Sequence, residues 1–222
     1  MCGRFSLTTE LDVLLERFQI EQTSIEEYVP RFNIAPTQQI AAVIRADQVN
    51  RLGTLRWGLI PFWAKDPSIS NKLINARSET ADQKASFKHA LEKRRCLILS
   101  DGFYEWKRTK NRKIPMRIQV RNGEPFAMAG LWEKWNDSNS TIYTCTILTT
   151  EANELMKEIH NRMPVILTRE AEAIWLDSSI NDLNKLKNCM HSFPSAEMNA
   201  YEVSTLVNSP KNEKAECILP VN

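Results

Sequence analysis

Between residues 95 and 149 the chain reads as five strands joined by connections too short for anything but reversals. RCLIL (95–99) is apolar throughout, and strand-like segments follow at 103–108, 113–120, 125–133 and 141–149. Turn chemistry separates them: Asp101-Gly102, a basic tip over 107–113, Asn122-Gly123, and the polar run over 136–140. A parallel crossover needs a dozen or more residues, so links of this length dictate antiparallel pairing. Strands are also expected at 39–45, 53–60, 164–168 and 200–205. Helical spacing covers 8–18, where Leu11, Leu14, Leu15 and Phe18 fall at i, i+3, i+4 and i+7, with Thr8 or Thr9 as N-cap. A second helix is expected over 81–93, with Phe87, Ala90 and Leu91 on one face, and short ones near 151–159, 169–176 and 181–188. Helices do not alternate regularly with strands, which argues against a βαβ sheet. The fold class expected is α+β: an antiparallel, barrel-like β core with flanking short helices, one domain over 1–222.

Composition narrows function mainly by exclusion. The 222 residues are 42% apolar and 25% charged, as in an ordinary soluble globular protein. A net charge of +2 denies it the broad footprint of a strongly basic nucleic-acid binder but allows a local basic cleft. The five cysteines, Cys2, Cys96, Cys145, Cys189 and Cys217, are odd in number, widely spaced and without a CxxC pair. That pattern suits neither a disulfide framework nor a structural zinc site, and no metal or organic cofactor is implied. The start of the chain turns charged at Arg4 and Glu10 before any apolar run, and no stretch reaches the ~18 apolar residues of a membrane helix. A cytoplasmic, reduced, monomeric protein with no membrane association is expected.

In that setting Cys2 is a free thiol. Cysteine is small enough for the initiator Met1 to be removed, which leaves an α-amine beside the thiol. The amine titrates at about 7.7–8, so a substantial fraction is unprotonated and nucleophilic near neutrality. Such a 1,2-aminothiol condenses with an aldehyde to an imine, and its sulfur then closes a thiazolidine ring. It can equally act as an N-terminal nucleophile. The plain alternative is a frayed terminus.

Other chemistry-bearing residues stand where ordinary strand or loop residues would serve. In DGFYEW (101–106), Glu105 lies among aromatics and shares a strand face with Phe103. There it is either a desolvated proton carrier or an outward carboxylate paired with a nearby base. His160 closes the helical stretch TEANELMKEIH and is either a proton-transfer group or a helix-end histidine bonding the last carbonyls. Asn75 and Arg77 follow the 61–75 loop. Asn75 suits a substrate hydroxyl or carbonyl and Arg77 a phosphate; loop capping and an Arg77–Glu79 ion pair are the alternatives. Arg4, Arg77 and Arg162 each neighbour a candidate reactive residue, an arrangement suited to a polyanionic substrate. Trp57, Trp63, Phe103 and Trp106 can stack on unpaired bases, although at least two of the four are expected in the core. The tip 107–113 carries five positive charges and no acid; it reads as a solvated hairpin end or a phosphate contact.

Taken together, MCGRF at the start, RFNIAP, LRWGLIP, INARSET, DGFYEW, HNRMPVIL and VSTLVN resemble the SOS-response-associated peptidase (SRAP) family of abasic-site processing proteins, in order and over nearly the whole chain. The resemblance implies a compact α+β fold with a basic groove, and covalent capture of an abasic site in single-stranded DNA by Cys2. It further implies that Asn75 holds the open sugar or the Cys2 backbone, that Glu105 shuttles protons, and that His160 stabilises the sugar oxygen. DNA contacts are implied at Arg4, Asn33, Trp63, Arg77, Trp106, Thr149 and Arg162. Two other functions remain open on the residues: an autoprocessing thiol peptidase that uses Cys2, and a non-catalytic single-stranded DNA-binding module.

Overall fold

The computed structural model describes residues 2–137 and 140–221; Met1 and the middle of the 136–140 turn therefore lie outside the described residues. In chain order the strands are β1 (Phe5–Leu7), β2 (Gln22–Thr23), β3 (Arg31–Ile34), β4 (Gln39–Ala46), β5 (Val49–Trp57), β6 (Asn75–Arg77), β7 (Arg95–Ser100), β8 (Gly102–Arg108), β9 (Lys113–Val120), β10 (Phe126–Asn136), β11 (Thr141–Glu151), β12 (Arg162–Pro164) and β13 (Met198–Glu202). The helices are α1 (Leu11–Arg17), α2 (Lys88–Lys93), α3 (Glu154–Lys157), α4 (Arg169–Leu176) and α5 (Leu183–Asn188).

Five strands close a barrel. β4 pairs antiparallel with β5 and β7, β7 with β10, and β10 with β11. The ring shuts where β11 meets β5 in parallel, Thr144 opposite Arg56 and Cys145 opposite Trp57. The all-apolar reading of RCLIL has its reason here: β7 is central, and every one of its residues is buried. Gly58 finishes the seam with φ +126°, its N–H donating to Cys145 O at 2.8 Å. A Cβ there would stand 2.8 Å from the Ser70 carbonyl oxygen, so both backbone angle and space demand glycine.

A second, wholly antiparallel sheet runs β13-β9-β8-β1-β3. The chain passes from barrel to second sheet at Asp101, between β7 and β8. This carboxylate is only 2% exposed, accepts from Ser6 Oγ at 2.7 Å and pairs with the equally buried Arg117 at 3.1 Å. It also draws in Thr8 Oγ1 at 2.8 Å and Thr9 N–H at 3.0 Å. The threonines expected to cap α1 are therefore committed elsewhere. α1 begins only at Leu11, with Glu10 at its start and no side-chain cap. The 81–93 helix shortens to α2, since two turns precede it in place of helix. The later helices carry true caps: Asn153 on Met156 N–H, Thr168 on Ala171 N–H, and Asp182 on Asn184 N–H. Trp57 and Phe103 are fully buried, as expected of two of the four candidate stacking aromatics.

Candidate active site

The start of the chain is drawn into the junction of the two sheets. β1 lies along β8 with Phe5 opposite Phe103 and Ser6 opposite Gly102, and Tyr104 N–H donates to Arg4 O at 2.9 Å. The register carries Gly3 and Cys2 back alongside Glu105 and Trp106. From the other side comes β6, held parallel to β11 with Asn75 opposite Ile147. Asn75 Nδ2 donates to Cys2 O at 2.9 Å, which makes this carbonyl a fixed point instead of a frayed end. Asn75 Oδ1 is buried and has no hydrogen-bond partner among the described residues. A buried amide oxygen left so is an acceptor awaiting a donor.

Cys2 is completely buried. Burial, and next the Glu105 carboxylate, push its thiol up to about 12. Glu105 itself is 4% exposed and forms one wall of a cleft of about 370 Å³, shared with Trp106, Arg108, Lys113, His160 and Asn208. Of the two orientations left open for Glu105, the inward one holds. His160 follows α3 and donates its backbone N–H to Met156 O at 2.7 Å. Its Nδ1 accepts the Arg162 backbone N–H at 3.0 Å and lies 3.3 Å from the Arg162 carbonyl oxygen, so the ring is oriented by the segment that follows it. Cys2, Asn75, Glu105 and His160, from four distant parts of the chain, are thus linked through one contact, one carboxylate–thiol proximity and one shared cleft.

The expected DNA contacts divide. Arg77 is exposed on β6. Its alternative partner Glu79 belongs to Arg162, in a two-pronged pair at 2.7 and 2.9 Å, so the expected Arg77–Glu79 pair is replaced by Arg162–Glu79. Arg162 also donates to Thr149 O at 2.5 Å and Thr149 Oγ1 at 3.3 Å. Thr149 is 1% exposed and stands behind Arg162 instead of facing solvent. Asn33 is fully buried; its Oδ1 accepts Arg4 Nη1 at 2.8 Å, and its amide nitrogen donates to Ser209 O and Asn212 O at 2.9 Å each. As placed, Asn33 positions Arg4 and the 207–212 segment, because a side chain with both ends engaged inside the protein has none left for DNA. Arg4 also donates to Val207 O at 2.6 Å and lies 5.9 Å from the Trp106 ring, so it braces the cleft wall. Trp106 lines the cleft and donates Nε1–H to Asn208 Oδ1 at 2.7 Å. Trp63 is half exposed beside Phe62, in a separate hollow with Lys65, Asp66 and Lys72.

Arg108 and Lys113 join the cleft from the acid-free charge run over 107–113, whose sequence reads equally as a solvated hairpin end. Asn208 ends VSTLVN and gave no signal of its own. No three His, Cys, Asp or Glu residues converge as a metal site among the described residues. No helix there is long and apolar enough to cross a membrane.

The family model described as SOS response associated peptidase (SRAP) matches residues 1–210. "Abasic site processing protein YoqW" of Bacillus subtilis is 52% identical over 98% of this chain and 99% of its own length. "Abasic site processing protein YedK" of Escherichia coli is 30% identical over the full length of both. "Abasic site processing protein HMCES" of Xenopus tropicalis is 33% identical, over 88% of this chain and 68% of that protein. A crystal structure of a Bacteroides thetaiotaomicron protein superposes over 100% of both chains with a TM-score of 0.90 at 26% identity.

Proposed function

The chain belongs to the SOS-response-associated peptidase family, and from that premise we propose that it captures abasic sites in single-stranded DNA as a covalent adduct of Cys2. The observation that carries the reading is the Asn75 clasp on the Cys2 carbonyl with Glu105 beside the thiol. A terminus held this firmly, against a buried carboxylate at a polar cleft, is built for chemistry at residue 2.

An abasic deoxyribose opens to a C1′ aldehyde. Once Met1 is gone, the Cys2 amine adds to that carbon, and the C–O bond of the resulting carbinolamine breaks to release water and leave an imine. The sulfur then adds to the imine carbon while the thiol proton passes to nitrogen, closing the thiazolidine with a net loss of one water. A thiol pushed up to about 12 is neutral at physiological pH, so the ring closure needs a base at hand; Glu105 is the adjacent one. His160, its ring oriented by the Arg162 backbone at Nδ1, turns Nε2 to the sugar oxygen as the ring opens. Asn75 Oδ1 takes a sugar hydroxyl. Ring closure removes the imine that would otherwise promote β-elimination and strand cleavage.

The same buried, neutral thiol argues against a thiol peptidase, whose nucleophile is a thiolate. A purely non-catalytic binder leaves the Asn75–Cys2 clasp without a purpose. The test is denaturing electrophoresis with intact mass after mixing the protein with single-stranded DNA bearing one abasic site, with Cys2→Ala alongside. A heat-stable adduct of demethionylated protein plus DNA minus water, lost in Cys2→Ala, is expected. No adduct from protein shown to begin at Cys2 refutes the reading.

A further inference from the structure

Among the described residues several partly buried arginines are held by an acid: Arg17 by Glu172, Arg31 by Glu213, Arg51 by Asp47, and Arg162 by Glu79. The cations that face the cleft from the β8–β9 hairpin are not held in this way. The hairpin's last rung pairs Arg108 directly with Lys113, two exposed cations opposite each other on an antiparallel ladder. Like charges so placed destabilise a hairpin. Neither residue is within ion-pairing distance of a carboxylate among the described residues, and the nearest compensation on the tip is Arg112 with Glu202 at 3.7 Å. Both side chains line the cleft that holds Glu105 and His160. The one carboxylate there, Glu105, is 4% exposed.

Directly opposed residues share a sheet face, and so do residues two apart on one strand, so Arg108, Lys113 and Trp106 project to one side. Asn208 meets them there. Its Oδ1 accepts the Trp106 Nε1–H at 2.7 Å, which fixes the amide and leaves its two N–H donors for the cleft. Two cations and an oriented amide donor on one lip form a receptor for a tetrahedral oxyanion.

We propose that Arg108, Lys113 and Asn208 form a phosphodiester site that grips the DNA strand beside the captured nucleotide, apart from the exposed Arg77 on β6. The proposal rests on the single-stranded DNA reading above and adds a second anchor to it. Two anchors on either side of Cys2 hold the strand across the cleft, so that the aldehyde is delivered to the amine and not merely encountered.

The test uses undamaged single-stranded DNA, so that binding is read without any capture chemistry. Arg108→Gln with Lys113→Gln is compared with Lys107→Gln with Lys110→Gln, which removes equal charge from the same hairpin but from residues outside the cleft. Each phosphate contact contributes about 0.7 to the slope of log affinity against log salt for a single strand, so losing two lowers the slope by about 1.4. The deficit of the cleft variant therefore shrinks about sevenfold between about 50 and 200 mM salt. Asn208→Ala weakens binding with the slope unchanged. Equal losses from the two double variants, or a slope unchanged in the cleft variant, overturn the site. Capture of a small phosphate-free aldehyde by Cys2, measured in the wild type and in Lys107→Gln with Lys110→Gln, reads the covalent chemistry without the strand, which separates failure of this site from failure of that chemistry. A wild-type protein that does not bind single-stranded DNA at all overturns both readings.

Discussion

Asn75 is the residue at which structure makes the sharpest demand on chemistry. Its Nδ2 donates to the Cys2 carbonyl at 2.9 Å, and its Oδ1 is buried without a partner. Asn75→Ala removes one hydrogen bond to a positioned carbonyl, roughly 1–1.5 kcal/mol. It also removes the acceptor for a sugar hydroxyl, whose similar magnitude brings the total to roughly 2–3 kcal/mol in the transition state, or about 30–150-fold in rate. Global stability changes little, because the unpartnered oxygen already costs the native state. Asn75→Asp keeps the shape but sets a carboxylate oxygen against the Cys2 carbonyl where an N–H donor was, and adds a second negative charge near Glu105. It is expected to be slower than Asn75→Ala at neutral pH. The sign of its pH dependence follows: protonation of the new carboxyl restores a donor, so the deficit of Asn75→Asp narrows as pH falls, while that of Asn75→Ala does not. The assay is single-turnover adduct formation at saturating abasic DNA, quenched and resolved on denaturing gels, with DNA affinity measured separately. If Asn75→Asp matches wild type, or if both variants lose affinity and not rate, the clasp is structural and the argument fails.

Cys2→Ser keeps the amine but closes a far poorer ring, so heat-stable adduct disappears while single-stranded DNA binding measured by anisotropy persists. Alkylation of Cys2 by iodoacetamide is slow at pH 8 and keeps accelerating well past pH 9, because burial and Glu105 hold the thiol up near 12; a plateau near pH 9 counts against the buried geometry. Gly58→Ala meets both a positive φ and the Ser70 carbonyl, and lowers stability by roughly 2–4 kcal/mol in denaturant titration. Glu79→Gln breaks the two-pronged hold on Arg162; because Glu79 is partly exposed the stability loss stays below about 1 kcal/mol, and single-stranded DNA affinity rises as the arginine is released. Unchanged affinity in Glu79→Gln shows that Arg162 braces Thr149 and does not reach the strand.

The hairpin run was legible because its information is local: apolar strands, short links and turn residues sit next to one another in sequence. What the sequence hid was long-range. The three-residue strands β1 and β6 are too short for periodicity to register, yet they carry Cys2 and Asn75 into contact. Thr8 and Thr9 look like helix caps until a carboxylate at position 101 claims them. Glu79 looks like the partner of Arg77, two residues away, until β12 brings Arg162 beside it. Cys2, Glu105 and His160 stood out by residue type and by family resemblance, whereas Asn208 needed the fold to join Trp106. The parallel seam of β5 with β11 was likewise invisible, since nothing local marks a strand that pairs with one about 90 residues on.

The segment from Val207 to Glu213 is stitched to the start of the chain by Asn33, Arg4 and the Glu213 carboxylate, which accepts the Asn33 N–H at 2.9 Å. On the ribosome these stitches form last. Arg4, Trp106 and Asn208 can take their places only after translation has passed residue 213, so the cleft wall around residue 2 is the last part of the molecule to be completed, and a chain cut short before that segment would lack it.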